Sequence, residues 1–277
     1  MSFSKEQIQR YSRQLILPEI GVKGQEKLRR SSVLIVGAGG LGSPAALYLA
    51  AAGIGKLGII DHETVALSNL HRQVLYGTKD VGRPKSHAAK ERLAILNPDV
   101  EVVAIQESLS ADTALGQLRG YDVVLDGSDN VMTRYLVNDA CVLLSIPLVY
   151  GGVVRLQGQV MTIRPRQSAC FRCVFPEPPA AGGVPNCQDA GVLGAAAGIV
   201  GSLMAHEALK LLVGIGEPLT DRLLVFDGLT SRWREVPVRR DFRCAVCGES
   251  PTISELIAIE EGPCVEAQQE GAWPRSR

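Results

Sequence analysis

The chain has 277 residues, and its 29 lysines and arginines are balanced by 29 aspartates and glutamates. That length suits one large α/β domain, and a formal charge of zero supplies no basic field for a phosphate backbone, which argues against a nucleic-acid partner. Apolar residues make up 46% and aromatics 5%, a composition suited to close packing of helices on a sheet.

The opening "MSFSKEQIQRYSRQLIL" lacks the cationic start and apolar run of a secretory signal, so a cytoplasmic protein is expected. Ser4 and Gln7 make a capping-box pair that predicts a first helix through about Leu15, and "VKGQEKLRR" predicts a second before a strand at 33–36. Further strands are predicted at 56–60, 101–105, 122–126 and 147–150, with helices near 84–96, 111–118 and 130–145 between them. This alternation is that of an α/β, Rossmann-like doubly wound sheet.

From Val153 the texture changes. "LQGQVMTIRP" alternates as an antiparallel strand does, and "PEPPAAGGVPNCQDAGVLG" reads as a long Pro/Gly-rich connection. A helix is predicted from about 193 to 212, and "RLLVFDG" with "SRWREVPV" reads as a strand pair, an antiparallel extension of the sheet. The uncharged run at 190–205 falls short of the roughly 20 residues that cross a bilayer, so a buried helix and no membrane are expected.

The chemistry-bearing residues cluster on this frame. Gly37, Gly39 and Gly42 form G-x-G-x-x-G between a strand and a helix, with Asp61 ending the next strand. Gly37 permits the turn, Gly39 lets a phosphate approach the backbone, Gly42 lets helix meet strand, and Asp61 can accept from ribose hydroxyls. The motif predicts a nucleotide and leaves NAD and ATP open. Asn69, Arg72, Gln73 and Lys85 follow in a polar segment; Arg72 and Lys85 are either solvated charges or the cations that a triphosphate losing pyrophosphate requires. Asp129 and Asn130 lie just past a predicted strand end, where Asp129 either holds Mg²⁺ on phosphates or merely caps the next helix. Two C-x-x-C hooks, Cys170 with Cys173 and Cys244 with Cys247, predict a closed structural Zn²⁺ site, with free thiols or a redox pair as the alternative. Cys141 reads as a core residue of a helix, Cys187 stands in the Pro/Gly-rich loop, and Cys264 lies in the tail.

Together "RYSRQLILPEIG", "GAGGLGSP", "IDHETVALSNLHRQ", "GRPK", "LDGSDNVMTRYLVND", "GGVVRLQGQV", the two C-x-x-C pairs and "GVLGAAAGIVGSLMAHEALK" closely resemble the MoeB/ThiF family, bacterial relatives of ubiquitin-activating enzymes. The resemblance runs from about residue 4 to 260. It implies that ATP adenylates the C-terminal glycine of a ubiquitin-fold sulfur carrier of MoaD or ThiS type, one ending in Gly-Gly. On the matching positions it places Gly39 and Gly40 in the phosphate loop and Asp61 on the ribose. Asn69, Arg72, Gln73, Lys85 and Asn130 would surround the nucleotide, and Asp129 would hold Mg²⁺. Arg13 matches an arginine that the family lends to the partner subunit's nucleotide, which implies a homodimer. Cys187 matches a cysteine that links covalently to the carrier or a sulfur donor in some relatives. Without a rhodanese-like extension, sulfur is expected from a separate sulfurtransferase or cysteine desulfurase.

The expected organisation is one adenylation domain over 1–250, comprising N-terminal helices at 4–30, a nucleotide-binding half at 31–152 and a carrier-binding and zinc half at 153–250. A short C-terminal helix and flexible tail are expected at 251–277. Two other functions share parts of the pattern. A nicotinamide oxidoreductase would use the glycines and Asp61, and a non-catalytic zinc-stabilised adaptor would dock a ubiquitin-fold protein.

Overall fold

A computed structural model describes residues 3–179 and 190–257 of the chain. Its sheet is organised by the two-residue period of a strand buried on both faces. In β1 (Ser32–Val36), Val33 and Ile35 enter the core on one face, while Leu34 and Val36 enter the core on the other. Around it, β2 (Lys56–Ile60), β3 (Glu101–Ile105), β4 (Val123–Asp126) and β5 (Leu148–Val154) run parallel in the order β3-β2-β1-β4-β5. The same sheet continues antiparallel through β6 (Gln157–Ile163), β7 (Arg222–Asp227) and β8 (Arg232–Pro237).

The first helix, α1 (Lys5–Leu15), starts at the predicted box: the Gln7 amide donates to Ser4 Oγ at 3.1 Å, and the Ser4 amide donates to Gln7 Oε1 at 3.0 Å. Both orphan donors are thereby satisfied. It leads to α2 (Gly21–Arg30), after which α3 (Gly42–Ala52), α4 (Lys85–Leu96), α5 (Ala111–Leu118) and α6 (Val131–Leu144) alternate with the parallel strands.

Strand β5 runs four residues past its predicted end. Gly151 and Gly152, which resemble turn signals, lie inside it and pair with Val160 and Gln159. Gly151 is needed for approach rather than for turning, because a Cβ there would lie 2.2 Å from Met204 Sδ. Met204 belongs to α8 (Gly194–Val213), which follows the short helix α7 (Phe171–Val174) among the described residues. The long α8 is the one described helix apolar enough to cross a membrane by length and composition. It lies instead against α3, β5 and β6, with Ala197, Val200, Met204 and Ala208 fully buried. Core packing accounts for its apolar character.

Gly42 opens α3 with its Cα against the preceding turn; a Cβ there would fall 1.9 Å from the Gly37 carbonyl oxygen. Gly116, inside α5, has nothing within 4 Å of its added Cβ. Gly42→Ala is therefore expected to lower the melting temperature sharply. Gly116→Ala should stabilise by roughly 0.5–1 kcal/mol, the helix propensity difference, in a denaturant titration.

Candidate nucleotide cleft and cysteine cluster

Between β1 and β4 the chain connections diverge to opposite sides, which leaves a crevice beyond the strand carboxyl ends. A cleft of about 530 Å³ occupies that place. The glycine turn after β1 forms its floor. Gly37 has a φ of +88°, and an added Cβ would meet the Gly127 carbonyl oxygen at 3.0 Å, so the fold itself demands glycine. Gly39 differs, because an added Cβ would meet only the Gln73 amide nitrogen at 3.6 Å. What a side chain at Gly39 would occupy is room for a ligand. Gly37, Gly39 and Gly40 line the cleft, whereas Gly42 serves the contact between turn and helix.

One wall comes from the end of β2. Asp61 Oδ2 accepts from the Ala38 amide at 2.8 Å, and Oδ1 accepts from the Glu63 amide at 2.9 Å. Burial raises the Asp61 pKa above its ordinary value, against the opposing pull of Lys85 and these two amides. Beyond it, the 3-10 turn Leu67–Asn69 presents Asn69, Arg72 and Gln73, with the Arg72 and Gln73 amides both donating to the Asn69 carbonyl at 3.0 Å. Gln73 is buried, and its Oε1 has no hydrogen-bond partner. Such an orphan acceptor beside the bare Gly39 fits a site completed by a polar ligand.

Lys85 opens α4 with its side chain only 3% exposed and its Nζ paired to Glu63 Oε2 at 2.5 Å. Burial would raise the Glu63 pKa, but the hydrogen bond and charge of Lys85 outweigh it and hold the carboxyl below its ordinary value. Glu63 escapes sequence reasoning because it stands 22 residues from its partner. A backbone bridge between Thr64 and Pro84, with the Lys85 amide donating to the Glu63 carbonyl at 2.9 Å, brings the two together.

The facing wall is the loop after β4. Asn130, not Asp129, caps α6, its Oδ1 accepting from the amides of Met132 at 2.8 Å and Thr133 at 3.3 Å. The Asp129 carboxylate lines the cleft and accepts no hydrogen bond among the described residues. Below it, Asp126 Oδ1 accepts from the Ser128 amide and hydroxyl at 3.0 and 2.6 Å, and Arg134 donates to the Ser128 carbonyl at 3.3 Å. Burial raises the Asp126 pKa, partly offset by Arg134. The loop is pinned through its backbone while the Asp129 side chain stays available. Arg134, inside the quoted LDGSDNVMTRYLVND stretch but given no role there, and Glu107, outside every quoted motif, also line the cleft. Arg13 is exposed on α1 and does not line the cleft of its own chain. Cys187 and Cys264 lie outside the described residues.

The four remaining hook cysteines converge. Cys170 Sγ lies 3.6 Å from Cys244 Sγ, and Cys173 Sγ lies 3.8 Å from Cys170 and 3.4 Å from Cys247; all four sulfurs fall within 4.8 Å of one another. A tetrahedral thiolate site with Zn–S near 2.3 Å requires S–S edges of about 3.8 Å, so the cluster has the size of a closed Cys₄ zinc site. The short helix α7, absent from the sequence reading, carries the first hook. Cys141 is fully buried in α6, as a core residue.

Residues 11–246 match the ThiF family. The chain belongs to that family. It is 52% identical over 265 residues to the sulfur carrier protein adenylyltransferase of Thermus thermophilus, covering 94% of this chain and 98% of that protein. It is 50% identical over 260 residues to the adenylyltransferase and sulfurtransferase MOCS3 of Mus musculus, covering 94% of this chain but only 56% of MOCS3. Among solved structures, E. coli MccB with AMPCPP and MccA superposes with a TM-score of 0.76 at 25% identity, covering 86% of this chain and 74% of that chain. In this ThiF-family chain the loop bearing Asp129 depends on its cap. Asn130→Ala should cost about 1 kcal/mol of stability by denaturation, and Asn130→Asp should retain most of it.

Proposed function

We propose that the chain is an adenylyltransferase that uses ATP to activate the C-terminal glycine of a ubiquitin-fold sulfur-carrier protein, giving an acyl-adenylate and pyrophosphate. The observation that carries this reading is the meeting of Arg72, Lys85 and the disengaged Asp129 around the bare Gly39, in a chain similar from end to end to a sulfur carrier protein adenylyltransferase. Neither nicotinamide hydride transfer nor a purely adaptor role is favoured by that similarity.

The chemistry follows from the cleft. A glycine carboxylate is ionised near neutral pH, so its attack on the α-phosphate needs no general base. The difficulty is charge: an anion must approach a polyanion, and pyrophosphate must leave. Backbone amides of the glycine turn, at the positive end of the α3 dipole, would donate to phosphate oxygens. Arg72 and Lys85 hold the phosphates in line and balance the growing charge. Asp61, braced by the Ala38 and Glu63 amides, would accept from the ribose hydroxyls, and Asn69, Gln73 and Asn130 would complete the polar lining. Asp129 would hold Mg²⁺, whose charge would offset that of the phosphates. Arg13 would serve the partner subunit's cleft in a homodimer. A carrier tail ending in Gly-Gly suits the approach, since only a slim backbone threads beside the α-phosphate. Sulfur for the activated carboxylate would come from a separate sulfurtransferase or cysteine desulfurase in the cytoplasm, with Cys187 as the candidate for a covalent link.

Cys170, Cys173, Cys244 and Cys247 would hold structural zinc. Elemental analysis of protein purified without chelator should find about one Zn²⁺ per chain, as a closed thiolate site binds tightly, and a zinc-free, equally stable protein would reject that assignment.

Adenylation is tested by ATP–pyrophosphate exchange with purified Gly-Gly carriers. Asp129→Ala should lower exchange by a factor of roughly 100 to 1,000, as expected for loss of an electrostatic element at the reacting phosphates. Cys187→Ala should leave exchange intact, because it acts only after the adenylate has formed. Full exchange by folded Asp129→Ala would refute the metal assignment.

A further inference from the structure

Lys85 presents an unusual demand. Its aliphatic stem is fixed by the first turn of α4, its side chain is 3% exposed, and an ammonium so placed needs an anionic partner. Glu63 supplies that partner at 2.5 Å, yet Glu63 is itself 49% exposed on the cleft wall. The two ends of the pair therefore differ in freedom. The lysine cannot leave; the glutamate can turn into solvent. The neighbouring carboxylates do not share this arrangement, since Asp61 is committed to the amides of Ala38 and Glu63, and Glu107 accepts from Gln117 at 2.5 Å.

We infer that Glu63 is a positioning residue that competes with the nucleotide phosphates for the Lys85 ammonium, holding it in place when the cleft is empty and taking it back as pyrophosphate departs. The inference rests on the adenylation reading of the same cleft. Its physical content is an exchange of partners: phosphate entry breaks one ion pair to make another, so only the difference between them reaches the binding free energy. A carboxylate left beside the phosphates also repels them. Both effects weaken ATP and pyrophosphate binding together, which favours turnover over retention of product.

The consequence runs against the usual effect of altering a cleft residue. Glu63→Gln, nearly isosteric and on a half-exposed wall, should bind ATP and pyrophosphate roughly three- to tenfold more tightly than the wild type, the scale of one partly exposed ion pair. Its kcat in carrier adenylation should fall as pyrophosphate release slows, so that KM for ATP and kcat decrease together. Lys85→Met should weaken binding of both ligands. The direct measurement is calorimetric titration of the intact protein with ATP, and separately with pyrophosphate, at fixed Mg²⁺ and salt. Should Glu63→Gln lose thermal stability, Glu63→Asp keeps the charge one methylene further from Lys85 and must shift affinity in the same direction by a smaller factor. Unchanged or weaker binding by a folded Glu63→Gln overturns the inference while leaving adenylation in place. Failure of the wild type to bind ATP overturns both.

Discussion

The cleft hangs on backbone brought against backbone at the end of β1. The Gly37 amide donates to the Ile60 carbonyl and the Gly127 amide to the Val36 carbonyl, each at 2.9 Å, so three strand ends are tied within one turn. That closeness leaves no room for a Cβ at Gly37 or Gly42. It also aims the glycine turn and the positive end of the α3 dipole into the space between the loops that follow β2 and β4. Shift the turn and Asp61, Lys85 and Asp129 lose their common centre.

Charge within that space is managed by unequal commitment. Asp61 and Asp126 spend oxygens on backbone amides and become part of the scaffold. Lys85 is buried but paired, the condition under which a desolvated ammonium is tolerable. Asp129 is spared even the capping of α6, because Asn130 performs it. Rigid groups thus set the frame, while Asp129 has no hydrogen-bond partner among the described residues and Glu63 pairs with Lys85 from a half-exposed position.

The far half is fastened by a different device. Cys170 and Cys244 are separated by 74 residues yet lie within van der Waals distance. The segment carrying the first hook is anchored to α6, with the Phe171 amide donating to Asn138 Oδ1 at 2.9 Å and Arg172 forked onto the Asp139 carboxylate at 2.8 and 2.7 Å. Arg172 also stacks over Tyr135, 4.7 Å from its centroid. Because α6 begins at the Asn130 cap, one helix has the cleft at its start and bears the cysteine cluster along its side. The core on that face runs from Leu34 and Val124 through Tyr135 to Cys247 without a break.

The sequence by itself determined what depends on neighbours along the chain. The Ser4–Gln7 box, the apolar run of β1, the helix of α5 and the alternation of strands and helices along the chain are local matters, governed by propensity and periodicity. The glycine motif and the C-x-x-C spacing are legible for the same reason, since their chemistry needs fixed short intervals. Tertiary structure decided what depends on residues that meet only after folding. The strand predicted at 147–150 runs on through Gly151, whose missing Cβ leaves room for Met204. Asp129 is as much a helix cap as a metal ligand by position alone, until the turn of α6 gives the cap to Asn130. Glu63 stands inside the quoted IDHETVALSNLHRQ stretch but has no role assigned there, because its partner is brought to it by the Thr64–Pro84 bridge. Local backbone preferences are written in adjacent residues, whereas the partner of a buried charge is chosen by the path of the whole chain.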